Sequence, residues 1–304
     1  MDTLGLSTDP VPLGATGLSS SPLAWGMWRF KGDDVAAAAR LVHAALDAGI
    51  TFFDTADIYG PDNGEPFGAA EALLGRVFAA EPSLRGRMLL ATKGGIRMGV
   101  PYDSSSAYVE QAVDASLKRL GVDHVDLWQI HRPDLLAHPA EVAEALDRIV
   151  ASGRARAVGV SNFTPAQVAA LTSYLEVPLA SIQPEFSALA TRPLFDGTFD
   201  QAMQMGLAVL AWSPLGQGRL GAANPADPRA AATAAAMDRI AAEQGVSRTA
   251  VAYAFVGAHP ARPIPIVGTQ TEARIAEARE ALKVRFTRAQ WYEILQAGMG
   301  EKLP

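Results

Sequence analysis

Four residues whose side chains can move protons, Asp54, Tyr59, Lys93 and His131, each stand at or just beyond a short apolar run: FFDTADIY, LLATK and DLWQIH. A phenol with an ordinary pKa of ~10 is a poor proton donor at neutral pH. A neighbouring ammonium favours the phenolate and lowers that pKa, while a carboxylate holds the ammonium in place. Asp54, Lys93 and Tyr59 have the types for this relay, which leaves His131 to donate a hydrogen bond to a carbonyl oxygen. Such a set protonates an oxygen that becomes negative as its carbon is attacked. The chain has no Cys and shows no evident Ser nucleophile, so the attacking species must be imported. A hydride from a nicotinamide meets that requirement. Taken singly, each residue has a plainer reading: Tyr59 as a packing aromatic, Asp54 as a helix N-cap, Lys93 and His131 as solvated loop groups.

Other chemistries find less support. HExxH is absent, and the 5 histidines (His43, His124, His131, His138, His259) are scattered, which argues against zinc. Asp57 and Glu65 have the types of a glycosidase pair but fall in one loop. Gly216-Gln217-Gly218-Arg219-Leu220-Gly221 spells GxGxxG, yet AANPADPRA follows where a dinucleotide fingerprint needs a helix, so it reads as a phosphate-facing or lid loop. A formal charge of −6 provides no global field for nucleic acid. No stretch approaches the ~18 apolar residues of a membrane span, and the start has no signal-peptide pattern. With no Cys, a cytoplasmic protein without disulfides is expected.

The elements that must position these residues form a regular alternation. Hydrophobic residues make up 49% and charged residues 19% of 304, enough apolar material for a large core. A Gly/Ser-rich opening reads as a hairpin before a first strand near Pro22–Ala24. Apolar residues at helical spacing then predict helices over Asp33–Ala48, Phe67–Ala80, Ser106–Leu120, Pro139–Ala151, Pro165–Leu175 and Phe199–Met205. Between them lie strands at Ile50–Phe53, Met88–Ala91, Val125–Ile130, Ala155–Val160, Leu179–Gln183 and Leu207–Ala211. A polar excursion to Pro228, helical material to Ala258, strand Ile264–Val267, helix Glu272–Leu282 and an amphipathic Arg288–Gln296 complete the pattern. No long linker intervenes, so one domain over residues 1–304 is expected. Alternation over the whole length favours a (β/α)8 TIM barrel with an N-terminal β-hairpin and a C-terminal helix; an open doubly wound sheet is the alternative. In a barrel, strand ends face one rim, which would gather Asp54, Tyr59, Lys93 and His131 with Ser161, Asn162 and Gln183.

These residues lie in stretches that resemble the aldo-keto reductase family over about residues 11 to 285. The stretches are PLGATGLSSSPLAWGMW, GITFFDTADIYG, LLATKGG, SLKRLGVDHVDLWQIHRPD, GRARAVGVSNF, SIQPEFS, LAWSPLGQGRL and PIVGTQTEARIAEA, in the family's order. The chain looks nearest the bacterial branch of YdhF-type oxidoreductases. The resemblance implies that Asp54, Tyr59, Lys93 and His131 form the catalytic tetrad, and that Ser161, Asn162 and Gln183 hold a nicotinamide carboxamide. Trp212 matches an aromatic that stacks on the nicotinamide ring. Leu215 and Gly218 match positions near the pyrophosphate, and Ser213 is expected among the cofactor-binding residues. Gly268, Thr269, Gln270, Arg274 and Glu277 match the adenosine end. Many NADPH-using relatives carry Lys where this chain has Gly268 and Asn where it has Ala278; Arg274 remains to clamp a 2′-phosphate. NADPH is therefore the expected cofactor, with NADH the alternative.

A small-molecule carbonyl substrate is expected, meeting Tyr59 and His131 at the reacting oxygen. Trp28, which also borders the cofactor, and Met98 are the expected apolar wall, with Phe30, Tyr102 and Phe186 as weaker choices. Reduction of aldehydes or ketones is the leading expectation. Oxidation of a sugar or secondary alcohol by NAD(P)+ would use the same residues backwards. A cofactor-binding regulatory subunit is an alternative of another class, and the absence of a long N-terminal extension weighs against it. No nucleic acid, membrane or metal is expected, and the chain is expected to be a monomer or weak homo-oligomer.

Overall fold

In the computed structural model, which describes residues 3–303, the hairpin strands β1 (Val11–Pro12) and β2 (Ser19–Ser20) precede β3 (Ala24–Gly26). The chain continues through α1 (Val35–Asp47), β4 (Phe52–Asp54), α2 (Ala69–Ala80), β5 (Leu89–Gly94), a second hairpin of β6 (Ile96–Arg97) and β7 (Val100–Tyr102), and α3 (Ser106–Leu120). Next come β8 (Val125–Ile130), α4 (Pro139–Ala151), β9 (Ala155–Ser161), α5 (Pro165–Thr172), β10 (Leu179–Gln183), α6 (Thr198–Met205) and β11 (Ala208–Ala211). Helices α7 (Pro228–Gln244) and α8 (Arg248–Gly257), strand β12 (Ile264–Val267), and helices α9 (Glu272–Ala278) and α10 (Arg288–Met299) follow.

The parallel strands β3, β4, β5, β8, β9, β10, β11 and β12 form a closed barrel. Closure is made by β12 against β3, with Ile266 opposite Ala24 and Val267 opposite Trp25, which rules out an open doubly wound sheet. Helix ends follow the sequence: Asp34 accepts a hydrogen bond from Ala37 N at 2.9 Å, and Gly121, at φ 65°, ends α3 in the left-handed conformation. Successive strand residues face opposite ways. Phe52, Leu89, Ala91, Leu127, Ala157, Leu210 and Ile266 therefore fill the interior, while Phe53, Leu90, Trp128 and Val158 pack outward under the helices. Val11, Leu13 and Leu18 of the first hairpin join the interior cluster. Each such large side chain contributes about 1.5–3 kcal/mol by leaving water.

Several boundaries differ from expectation. β5 runs on to Gly94, so Lys93 lies inside a strand rather than beyond it; the apolar run ends earlier because the upper barrel interior accepts polar side chains. The expected helix Glu272–Leu282 breaks after Ala278 into a 3-10 turn, Arg279–Lys283. α5 stops at Thr172, short of the expected Leu175. The β6–β7 hairpin was not foreseen, because two- and three-residue strands leave no periodic signal. The expected single domain includes residues 1, 2 and 304, which lie outside the described residues.

Candidate active site

Strand phase builds the site. Asp54, Lys93 and Gln129 stand two residues after the interior residues Phe52, Ala91 and Leu127, so all three point into the barrel. Lys93, with no solvent exposure, donates from Nζ to Asp54 Oδ2 at 2.6 Å and to the Thr55 carbonyl at 2.9 Å. The other carboxylate oxygen, Oδ1, accepts from Gln183 Nε2 at 3.0 Å and Gln129 Nε2 at 3.4 Å. Ser181 Oγ donates to Gln129 Oε1 at 3.4 Å. Gly159 leaves room for this layer, since a Cβ there would lie 2.1 Å from Ser181 Oγ.

Tyr59 lies over this layer, with the Lys93 ammonium 5.1 Å from its ring centroid and the His131 ring edge-on at 5.9 Å. The Tyr59 carbonyl accepts from Ala70 N in the first turn of α2, which fixes the loop. Burial pushes the Tyr59 phenol up; Lys93 opposes this as expected, but the net direction is upward. The expected lowering is thus outweighed by desolvation. Burial acts to lower Lys93, yet Asp54 and Tyr59 outweigh it and leave a raised pKa, so the ammonium persists. His131 is held well below the usual imidazole value of 6.5, by burial first and then by Lys93 and Arg132. It is neutral at neutral pH, and its Nδ1 is buried without a protein partner.

Beside this set, Ser161 Oγ donates to the Gln183 carbonyl at 2.9 Å, and Asn162 Nδ2 donates to the His131 carbonyl at 3.1 Å and to Ser161 Oγ at 2.9 Å. Trp212 Nε1 donates to Asn162 Oδ1 at 3.0 Å, which fixes the indole at the rim. Asn162 and Ser213 hold φ of 62° and 52°, an uncommon conformation for non-glycine residues that concentrates at functional turns. The Gly216–Gly221 segment is a loop ending in a 3-10 turn, as expected, and the N–H groups of Leu215, Gln217 and Gly218 meet no acceptor among the described residues. Backbone donors of this kind suit a phosphate. Farther round, Thr269 O accepts from Trp25 Nε1, and Gln270 donates to Gly26 O while its buried Oε1 has no partner. Arg274 is exposed and Glu277 half-buried on α9, and Gly268 lies in the loop between β12 and α9. The fixed indole, free loop donors and orphaned Gln270 oxygen fit a dinucleotide. Among the described residues no group of three or more His, Asp or Glu could hold a metal ion.

Trp28 is 42% and Met98 63% exposed. Trp28 Nε1 donates to Asp62 at 3.3 Å. Tyr102 is exposed on β7. Phe30 and Phe186 do not line the site: both are buried, Phe30 against Trp25 and Phe186 between Phe199 and Phe255. Asp57 and Glu65, the glycosidase types, are also separated by environment, since Asp57 is buried and Glu65 half-buried. Sequence reasoning missed Gln129, Ser181 and Gly159. A polar residue at interior phase within DLWQIH was the signal that would have revealed Gln129.

A family model described as "Aldo/keto reductase family" matches residues 22–298. A 6-dehydroglucose reductase from Novosphingobium aromaticivorans is 58% identical over 294 residues, 96% of this chain and 96% of that protein. The oxidoreductase YdhF of Escherichia coli is 35% identical over 306 residues, covering 97% of this chain and 99% of its own length. The expected likeness to YdhF is thus present, but the Novosphingobium 6-dehydroglucose reductase shares more of the sequence than YdhF does. The solved glycerol dehydrogenase from Gluconobacter oxydans superposes with a TM-score of 0.83 at 26% identity, with 98% of each chain covered.

Proposed function

The chain belongs to the aldo/keto reductase family and is an oxidoreductase of carbonyl or alcohol substrates, and from that premise we propose that it reduces sugar-type aldehydes with NADPH. The carrying observation is the buried Lys93 ammonium, 2.6 Å from Asp54 and beneath the Tyr59 ring, with a neutral His131 across that ring. The substrate class rests on the 58% identity to a 6-dehydroglucose reductase. The chemistry that a reduced nicotinamide supplies when bound is a hydride for the carbonyl carbon.

The protein's own residues do the rest. Burial keeps the Tyr59 phenol protonated at neutral pH, so a proton is ready at Oη for the carbonyl oxygen. Lys93 limits the cost of the phenolate left behind, and Asp54, steadied by Gln129 and Gln183, fixes Lys93. Neutral His131 donates a hydrogen bond to the same oxygen and orients it. Ser161, Asn162 and Gln183 would hold the carboxamide. Both Asn162 donors are engaged internally, so a carboxamide would replace one of those bonds. Trp212 would stack on the ring, with Trp28 and Asp54 at its border. Ser213, Leu215 and Gly218 would hold the pyrophosphate, and Gly268, Thr269, Gln270, Arg274 and Glu277 the adenosine end. Trp28 and Met98 would face the substrate. We further assign the chain to the cytoplasm as a single-domain monomer or weak homo-oligomer; no described helix is long and apolar enough to cross a membrane.

The deciding experiment is a panel of sugar aldehydes, simple aldehydes and their alcohols, run in both directions with NADPH and NADH. Faster aldehyde reduction with NADPH near neutral pH is expected. Turnover confined to alcohol oxidation, the direction that the name of the Gluconobacter glycerol dehydrogenase describes, would replace the reductase reading.

A further inference from the structure

The strongest unassigned feature lies one residue beyond His131. Arg85, Arg119, Arg132, Arg148, Arg154, Arg248 and Arg262 are the half-buried arginines. Arg85 donates to Asp126, Arg119 to Glu71, Arg148 to Glu110, Arg154 to Asp114, Arg248 to Asp238 and Arg262 to the Asp9 carbonyl. Arg132 alone donates to no acceptor among the described residues.

A guanidinium that loses part of its water without gaining acceptors costs free energy, and a fold normally avoids this by pairing it. Arg132 is instead held at the mouth of the barrel, with Cζ 5.9 Å from the centroid of Trp212. It follows His131 directly beyond β8, and its charge is felt by both His131 and Tyr59. The planar fork offers several N–H donors in fixed directions, which suits oxygens on adjacent carbons.

We propose that Arg132 is a specificity-determining residue that donates to hydroxyl oxygens beside the reacting carbonyl, and so selects polyhydroxylated aldehydes over plain ones. This rests on the sugar-aldehyde reading above. An apolar wall of Trp28 and Met98 cannot make that distinction, because it supplies contact area rather than donors directed at hydroxyls.

The test compares D-glyceraldehyde with propanal, which has the same carbon skeleton without the hydroxyls, in wild type and Arg132→Met. NADPH affinity by tryptophan fluorescence and thermal unfolding are measured alongside, and Arg132→Gln replaces the Met variant if that fails to fold. The kcat/KM ratio of glyceraldehyde to propanal should fall about tenfold or more, mainly through KM for glyceraldehyde. An unchanged ratio, including equal losses on both aldehydes, overturns the assignment while leaving the reductase reading in place. Succinic semialdehyde is the third arm. If the variant lowers turnover of that carboxylate aldehyde alone, the hydroxyl assignment is overturned in favour of an anion. A wild-type protein that reduces neither glyceraldehyde nor propanal with either cofactor overturns this proposal together with the reading beneath it.

Discussion

Lys93 Nζ and Asp54 Oδ2 stand 2.6 Å apart on neighbouring strands with almost no exposure, so the ion pair is set by strand register rather than by flexible side chains. Asp54 pairs with Ala91 in the β4–β5 ladder, and Lys93 follows two residues later on the same face. Breaking a buried pair leaves an uncompensated charge, so its geometry is strongly held. The pair therefore fixes where the ammonium can act on Tyr59.

Tyr59→Phe should keep ring packing and NADPH affinity but slow hydride transfer by roughly 10²–10⁴-fold, because the hydroxyl placed over Lys93 is gone. Lys93→Met should also be slow for a different reason: the phenol remains, but the main charge that opposes the upward push of burial is gone and Arg132 alone still lowers it. Single-turnover reduction of an aldehyde, with cofactor affinity measured separately, distinguishes these from slow product release. Wild-type-like hydride transfer in Tyr59→Phe would remove Tyr59 from the acid role. His131 would be a poor replacement, since its depressed pKa leaves it neutral.

The barrel and the gathering of Asp54, Tyr59, Lys93 and His131 at one rim were legible because both rest on local pattern. Ser106–Leu120, Val125–Ile130 and Pro139–Ala151 emerged at their observed bounds, since the apolar period changes sharply at Gly121 and at the flanking polar residues. Asp54 and His131 were visible as polar interruptions of apolar runs. Gln129 was not, because its meaning depends on Asp54 across the barrel and on Ser181 from a third strand. Phe30 and Phe186 misled because residue type does not give side-chain direction; both face the core. The sign of the Tyr59 shift was illegible because sequence names the neighbouring charge but not the depth of burial that outweighs it.

Gly159 should be intolerant of even one methyl group. An added Cβ would meet Ser181 Oγ at 2.1 Å, Ser181 O at 3.2 Å and Gln129 Cγ at 3.3 Å. Gly159→Ala should cost about 1–3 kcal/mol of stability by overpacking and also lower kcat by displacing Gln129 from Asp54. Ser181→Ala, added to it, should restore part of both by removing the nearest atom. Denaturant unfolding of the single and double variants measures this, and additive effects would show that the two residues do not meet.

Asp57 should make stability fall as pH rises. Burial first, then the charge of Glu71, hold its pKa well above 3.8, and its Oδ1 has no partner. A carboxyl whose folded pKa is raised contributes stability that is full below the unfolded value and lost as pH climbs through the folded value. Asp57→Asn, which keeps the shape and removes the titration, should therefore melt higher than wild type at pH ~8, with the gap closing toward pH ~5. Thermal unfolding across that range is the measurement. A gap that widens toward acid would reverse the assigned direction.

Cofactor choice turns on which cation reads the 2′-phosphate. Gly268 provides no charge, and Arg274 on α9 is exposed and donates to no acceptor among the described residues. Charge-assisted contacts to phosphate are among the stronger hydrogen bonds, so Arg274→Ala should raise KM for NADPH about tenfold while changing KM for NADH little. A second guanidinium competes for the role: Arg29 Nη1 lies 4.0 Å from the position a Cβ on Gly268 would take. Steady-state KM values for both cofactors in Arg274→Ala and Arg29→Ala separate the two. Selective loss of NADPH in the Arg274 variant assigns the phosphate to α9. Selective loss in the Arg29 variant alone moves it to the loop after β3, where the charge of Arg29 would stand in for the side chain that Gly268 lacks.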